Sequence, residues 1–454
     1  MPGTHDTTPR NITATAGRGR QRPAGRWLAG LVPWLRPAAL PLEERNARYL
    51  EIEIFWAAFL SAAAAFNAPF ALRMGASNSQ IGLLSSIPAL IALLVTIPSG
   101  QFLRTRARRM PYLFWSLLIH RLGYLLALLI PLLPAETQGP AWIWTLIIFT
   151  TPASFFNVGW SSMLADVIPD ADRARVFSNR NILGALGVTV GVFLAGRWLQ
   201  DVIFPVNYQA LYGIGFVFGL VSLYYILKVQ VPDSVVPHDS GSAVSVTAMW
   251  RTAREAFTAH PDFMRIVVNT LLHGVGLWMI GPLYVLYFVR VLGASEGWLG
   301  LNGMVANLAP VLGFALWRRG IARWGENRVL IWTIGLVGFY PLLVAASPHL
   351  TAILVWTALQ GVIAPGANLS HFPMLLKICP AEARPVYLGI YTTIMNIGAF
   401  VMPLIGVYLA DRVGIVPMLI AGGVICLLGS SLFRWRPLRT PDSLAARRVP
   451  AAHS

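Results

Sequence analysis

The chain runs to 454 residues, 56% of them hydrophobic and only 12% charged, with a mean hydropathy of +0.61. About a quarter of a soluble domain is charged, so this composition excludes a soluble globular protein and makes lipid the solvent for most of the chain. The net charge of +16 raises nucleic acid as a partner, an idea that the placement of the arginines below removes.

Residues 1–47 are rich in Thr, Arg, Gly and Pro and hold no apolar run long enough to span a bilayer, so a disordered basic segment is predicted there. Its short run from Trp27 to Val32 is broken by Pro33 and Pro37 and lacks a convincing cleavage site, which argues against a signal peptide. Trp27, Leu31, Trp34 and Leu35 suit an interfacial stretch instead. A membrane helix needs about 20 mostly apolar residues, and twelve such cores follow. Six of them, at 50–71, 80–103, 110–133, 141–164, 180–203 and 208–228, make a first bundle over 48–228. Residues 229–262 form a polar linker in which Met249, Trp250, Ala253 and Phe257 lie at helical spacing, so a short amphipathic helix on the membrane surface is expected. Six further cores, at 265–289, 298–317, 329–346, 351–375, 387–410 and 414–433, make a second bundle over 263–435, and 436–454 form a basic tail. The fold class is an all-α membrane protein with twelve transmembrane helices in two six-helix bundles.

Arginines crowd the start (Arg18, Arg20, Arg22, Arg26), the 104–109 loop, the 318–328 loop and the tail (Arg434, Arg436, Arg439, Arg447, Arg448). The turns near 71–80, 133–141, 346–351 and 409–415 are nearly bare of them. This alternation follows the positive-inside rule. It predicts a multi-pass protein of a cell inner (plasma) membrane with both termini cytoplasmic, and it leaves nucleic acid without a role. Cys379 and Cys426 fall in a cytoplasmic loop and in the last span, too far apart and on too reducing a side for a disulfide. No Cys/His cluster has metal spacing and no Gly-rich loop ends in Gly-Lys-Ser/Thr, so no metal, cofactor or ATP-driven cycle is expected.

The second half repeats the first. Gly75-Ala76-Ser77 followed by Gly82 recurs 218 residues later as Gly293-Ala294-Ser295 followed by Gly300. Asn157, Met163, Leu164, Pro169 and Arg173 recur 211 residues later as Asn368, Met374, Leu375, Pro380 and Arg384. Two homologous helical halves in one membrane chain are the build of a carrier that rocks around a midplane site.

The loop after the second span reads Gly100-Gln101-Phe102-Leu103-Arg104-Thr105-Arg106-Ala107-Arg108-Arg109, and its copy runs from Arg318 to Arg328. With the twelve spans and the repeat, these loops make the chain resemble the major facilitator superfamily of secondary transporters, whose loop at this place runs Gly-x-Leu-Ala-Asp-Arg-x-Gly-Arg-Arg. The opening glycine and the closing arginine pair match. Arg104 stands where the family has aspartate and Ala107 where it has its second glycine; in the copy, Ala322 takes the acidic place while Gly325 keeps the glycine. The resemblance covers about residues 48–435 and implies a transporter rather than an enzyme, with its halves related by a pseudo-twofold axis along the membrane normal.

It also implies a cytoplasmic gate. The family's loop latches to the ends of the fourth and eleventh helices, which maps the gate here to Gly100, Arg104, Arg108, Arg109, Asp166, Arg173, Gly325 and Arg384. Asp166 is expected to meet Arg104 or Arg108 when the cavity closes to the cytoplasm. Its repeat counterpart is Lys377, so the second half is expected to lack the charge pair. Membrane orientation alone accounts for the same arginines.

Family cavities are lined mainly by the first, fourth, seventh and tenth helices, whose faces follow from the 3.6-residue period. Thr150, Ser154, Asn157 and Ser161 form a stripe on the fourth span, and Gln360, Asn368 and His371 share a side of the tenth. Further candidates for the lining are Asn67, Asn269, His273 and the aromatics Trp56, Phe59, Phe155, Phe156, Trp160, Trp278 and Tyr284. Polar groups inside spans face protein or water. Helix-to-helix hydrogen bonding is the alternative role, favoured beside small residues such as Gly361, Ala364, Gly366 and Ala367.

Among groups for proton coupling, His273 comes first because histidine titrates near neutral pH. Glu51 and Glu53 come next; they point about 200° apart on a helix, and snorkelling to the nearby cytoplasmic water is the simpler reading of both. His120 and Arg121 interrupt the third span. Gly184, Gly187, Gly191 and Gly196 supply the small surface of the fifth helix, without the proline found in the superfamily's drug antiporters. The reading is a secondary active transporter moving a small organic solute across the cytoplasmic membrane by alternating access, as a monomer, with export preferred and a proton or ion as candidate co-substrate. A uniporter or importer of a sugar-like or other polar metabolite and a transport-inactive receptor stay open. A membrane-embedded transferase is disfavoured, because its nearest acidic motif, Asp170 with Asp172, is replaced in the repeat by Pro380-Ala381-Glu382-Ala383.

Overall fold

The structure of the protein, a computed structural model, describes residues 40–231, 254, 257–258, 260–380 and 383–435. The interfacial stretch around Trp27 and Trp34, the linker positions Met249, Trp250 and Ala253, and the basic tail lie outside the described residues. Among the described residues twelve helical spans run back and forth. They are α1 (Leu42–Arg73), α2 (Asn78–Arg104), α3 (Met110–Leu126, continued by a 3-10 turn at Ile130–Leu132), α4 (Ala135–Val167), α5 (Asp170–Asp201) and α6 (Val206–Leu227). The second set is α7 (Pro261–Val291), α8 (Glu296–Trp324), α9 (Glu326–Ala345), α10 (Leu350–Ile378), α11 (Arg384–Val413) and α12 (Ile415–Trp435). Eleven are long and apolar enough by themselves to cross a membrane; α3, with 17 regular residues, is the exception and crosses with its turn.

The three breaks inside spans each lie next to a proline, although other prolines, such as Pro88, Pro152 and Pro365, sit inside helices that continue through them. A proline removes the hydrogen bond to the carbonyl four residues earlier and its ring crowds that carbonyl. Pro69 addresses Ala65, Pro131 addresses Ala127 and Pro341 addresses Val337, and the helices α1, α3 and α9 are interrupted at Ala65–Phe66, after Leu126 and at Gly338–Phe339. Three helices start well before their apolar cores. α1 begins at Leu42, within the stretch expected to be disordered, α4 at Ala135 and α5 at Asp170. An apolar core marks only the stretch that lipid can solvate, whereas a helix satisfies its own backbone and can continue into water.

The Gly-Ala-Ser repeat is turn chemistry. Gly75 and Gly293 both have positive φ, +78° and +61°, which a residue without Cβ adopts without strain. Two residues on, Ser77 and Ser295 cap the next helix, their hydroxyls accepting from the amides of Gln80 and Trp298.

The glycine five residues after each of these serines serves a different end. A Cβ on Gly82 would lie 3.0 Å from Val407 of α11, and one on Gly300 would lie 2.8 Å from the Cα of Gly196 of α5. Gly82 and Gly300 are 218 apart, and Gly196 and Val407 are 211 apart. The α2–α11 and α8–α5 seams that join the two halves are therefore one contact used twice, as a pseudo-twofold axis requires.

Apolar packing is divided unevenly along the membrane normal. One large cluster mixes both halves, with Phe66, Trp142, Leu199 and Tyr212 from the first and Met279, Leu283, Val407 and Leu419 from the second. It lies on the side away from the arginine-rich loops. On the arginine-rich side the halves keep separate cores, one around Leu50, Leu113 and Leu164, the other around Phe263, Leu330 and Phe433.

Candidate functional site

The fourth and tenth helices carry the polar stripes. On α4, Thr150 and Ser154 are half-buried and Asn157 is exposed. The lipid-facing Trp144 and Ile148, 58% and 60% exposed, lie about 130° around the helix from this stripe at 100° per residue. Gly159 occupies yet another side, against Leu103 and Leu113. On α10, Gln360 is half-buried and Asn368 exposed, with the lipid-facing Val355 and Leu359 about 160° away. Asn157, which is also engaged in a contact, and Asn368, its equivalent in the repeat, are thus both exposed on the side of their helix away from these apolar residues. The side chain of Ser161 lies outside the described residues.

The structure places the other lining candidates in helix contacts. α1 turns Ala58 and Ala62 to Gly187 and Gly191 of α5 and turns Leu60 and Ala63 to Gly219 and Gly215 of α6. Trp56 and Phe59 lie in the arc between, each ring 5.2 Å from that of Phe218 on α6. The remaining arc of α1 carries the exposed Ser61 and Ala65. Asn67 accepts from the Tyr212 hydroxyl at 3.1 Å and its carbonyl accepts from the Trp142 indole. Phe156 and Trp160 stack on each other, and Phe155 meets Phe102. Trp278 rests against Gly274 and Gly398, and Tyr284 against Tyr340. Asn269 is buried, and its Nδ2 has no hydrogen-bond partner among the described residues.

The ionisable candidates differ between the halves. Glu51 and Glu53 are 1% and 5% exposed, so they do not snorkel to water as their position in the sequence suggests. Both are held by α5. Asn179 donates to Glu51 at 2.7 Å, beside an Arg48 pair at 2.9 Å. Arg180 pairs with Glu53 at 3.0 Å, and the Ser222 hydroxyl of α6 donates to the other oxygen. Arg121 of α3 donates to Ser222 and is 2% exposed, while the Arg180 guanidinium lies 5.4 Å over the Trp160 ring. Five helices of the first half thus meet in one buried charge network.

In the second half, His273 turns to α12, its Nδ1 3.1 Å from the Cys426 carbonyl and 3.0 Å from Ser430 Oγ. His371 joins α10 to Thr270 of α7 at 2.8 Å. Histidine there knits helices together without a counter-charge.

On the arginine-rich side, Arg104 is exposed with no hydrogen-bond partner among the described residues, and Arg109 donates to the Leu103 carbonyl. Arg173 donates to the Ile168 carbonyl, a Cβ on Gly100 would lie 4.0 Å from Val158, Gly325 turns with φ +81°, and Arg384 is exposed. Arg108 is exposed and engaged; the side chain of Asp166 lies outside the described residues. The second half does not carry the Asp–Arg pair expected of the first; a pair of reversed sign stands there. Lys377 pairs with Glu326 at 2.8 Å. Glu326 follows Arg108 by 218 residues and Lys377 follows Asp166 by 211, so the pair occupies the equivalent place with its signs reversed. The sequence reading looked for the acid at Ala322, four residues too early.

Residues on the opposite side were missed, although that side's arginines are so few that each was a signal. Arg73, ending α1, meets Glu296 at the start of α8 at 2.7 Å. Arg290, near the end of α7, donates to Asn78 at the start of α2 at 2.5 Å and to the Ala76 carbonyl. Asn78 donates in turn to Asp411 of α11 at 2.6 Å. Asn78 and Glu296 are repeat equivalents, so each half reaches across to the same position of the other.

The family model described as Major Facilitator Superfamily matches the sequence twice, over residues 52–268 and 266–453. No curated protein matches it. The fold is similar to the crystal structure of a mutant of the nucleoside transporter NupG, at a TM-score of 0.65 and 11% identity over 86% of this chain and 99% of that one. It is similar also to a bacterial homolog of the human lysosomal transporter Spinster in an inward-facing and occupied conformation, at a TM-score of 0.63 and 13% identity over 87% and 97%. The same homolog, inward-facing and unoccupied, gives a TM-score of 0.60 at 14% identity over 89% and 100%.

Proposed function

Because the chain belongs to the Major Facilitator Superfamily, we propose that it is a secondary active transporter that moves a small organic solute by alternating access of two rigid bundles, 48–228 and 263–435. One observation carries this reading. On the side away from the arginines an ion pair joins the halves, whereas on the arginine-rich side the pairs between described residues, Arg180–Glu53 and Lys377–Glu326 among them, stay within a half. With the arginine-rich side taken as the cytoplasm, the form described is closed outside and open inside. Asn157 and Asn368, facing the opening from equivalent positions, are the residues assigned to hydrogen-bond the solute, with Ser154, Thr150 and Gln360 extending the polar surface. Apart from the His371 imidazole, which is engaged with Thr270, the lining supplied by α4 and α10 is built of amides and hydroxyls, which suits a neutral polar solute better than a cation or an anion.

If a proton is coupled, Glu53 and Glu51 take precedence over His273. All three groups are held within their own half, but a proton on Glu53 would remove the charge that Arg180 answers, whereas the His273 hydrogen bonds involve no counter-charge. Export remains the preferred direction, in an inner membrane, with the protein acting as a monomer.

A thermal-shift screen of neutral solutes such as nucleosides, sugars and polyols, followed by flux of any hit into proteoliposomes, tests the reading. Saturable flux that falls at least about tenfold in both Asn157→Ala and Asn368→Ala supports it. A hit that binds without flux makes the protein a receptor, and flux indifferent to both asparagines moves the site elsewhere.

A further inference from the structure

One face of α8 carries Gly300, Gly303, Asn307, Val311, Phe314 and Arg318 at spacings of three and four, which puts them in a single stripe. Its outer part is covered by α5, where Gly300 meets Gly196 and Gly303 meets Val192. Its inner part is bare. Val311 and Phe314 are 54% and 46% exposed, and Arg318 is exposed with no partner among the described residues. Phe314, Ala315 and Arg318, with Leu369 of α10, line a crevice of about 360 Å³ whose walls are apolar apart from the guanidinium.

The rise of 1.5 Å per residue sets Arg318 about 33 Å from Glu296 along α8. This matches a hydrocarbon core about 30 Å thick, so the guanidinium sits at headgroup level of the arginine-rich leaflet with an apolar groove leading inward from it. Orientation of the helix in the membrane accounts for arginines at its end, but not for one over an apolar groove: Arg319 and Arg323 would satisfy that rule equally. The first half has no such site, because the repeat equivalent of Arg318 is Gly100, which lies against Val158.

We propose that an anionic phospholipid of the arginine-rich leaflet binds this crevice, with its phosphate paired to Arg318 and an acyl chain laid along Phe314, Val311 and Leu369. A guanidinium matches a phosphate in charge and in the fork of its donors, and lipid is the one apolar partner always present at this depth. The occupied crevice fills the place that α5 would take if the halves closed on this side, so the lipid stabilises the form open to the cytoplasm.

The experiment uses the full chain in nanodiscs of phosphatidylcholine with and without phosphatidylglycerol, with retained lipid counted by native mass spectrometry and Tm measured in parallel. Wild type and Arg323→Ala should retain phosphatidylglycerol selectively and gain Tm from it. Arg318→Ala and Arg318→Gln should bind it about tenfold more weakly, and Leu369→Trp, which fills the groove and keeps the charge, should lose it too. Equal weakening in the Arg318 and Arg323 variants would reduce the effect to the diffuse attraction of basic residues for anionic leaflets and overturn the site. So would an absence of selective binding in wild type, or full retention in Leu369→Trp.

Discussion

The two ends of the bundle use the same chemistry in opposite directions. On the side away from the arginines the ion pair Arg73–Glu296 and the Arg290–Asn78–Asp411 chain run between the halves, over seams where Gly82, Gly196 and Gly300 let backbones approach closely. On the arginine-rich side Glu53 holds Arg180 inside the first half and Lys377 holds Glu326 inside the second. Contacts within a half preserve a rigid body, and contacts between halves decide which face is closed. Alternating access needs the first kind to persist while the second kind breaks, and the distribution of charge in this chain separates the two.

The largest effect is expected from breaking a contact within a half. Glu53→Ala leaves Arg180 buried without its carboxylate and removes the acceptor of Ser222, which should cost about 3–5 kcal/mol and lower Tm markedly in detergent. Glu326→Ala, at the half-exposed Lys377 pair, should cost under about 1 kcal/mol. Equal Tm changes in the two would dissolve the distinction drawn above.

Next comes the outer seam. Gly300→Leu drives a side chain into the Gly196 backbone and the Val192 carbonyl, an overpacking that costs about 1–3 kcal/mol in the closed form alone. Spin labels at Asp201 and Val291 should therefore move apart, with Tm less affected than in Glu53→Ala. Unchanged distances would mean that the seam tolerates bulk and does not govern the state.

Arg73→Ala removes one latch whose arginine is half exposed to water, so a shift of about 1 kcal/mol towards the outward-open form is expected. The double exchange Arg73→Glu with Glu296→Arg should restore the wild-type distances; failure to do so would make the pair incidental. The smallest effect is expected of Asp166→Asn, proposed to favour inward-facing states by weakening the gate with the 100–109 loop. Accessibility of cysteines placed on the cytoplasmic part of α4 and α10 should rise modestly, and no change would remove Asp166 from the gate.

Legibility was uneven for physical reasons. Spans are readable because lipid demands a continuous apolar stretch, and the turn glycines and capping serines because their conformations admit few residue types. That Thr150, Ser154 and Asn157 share one side of α4 was readable because helical period and polarity coincide; their contact with a solute stays a proposal. Trp56 and Phe59 were not: an aromatic ring suits a cavity wall and a helix seam equally, and only the neighbours Phe218, Gly187 and Gly191 decide. Arg180 was passed over because it stands at the edge of an apolar core, although two glutamates inside α1 call for a counter-charge.

The sequence by itself determined the solvent, the number of crossings and the twofold repeat, each a property of local composition or of fixed spacing. Only the tertiary structure decided which polar groups are taken up by a neighbouring helix and which are left facing the opening, because that depends on residues more than a hundred positions apart. Glu53 with Ser222, His273 with Cys426 and Arg73 with Glu296 are such pairs. No period or composition encodes them, since each exists only where two separately folded helices come within hydrogen-bonding distance.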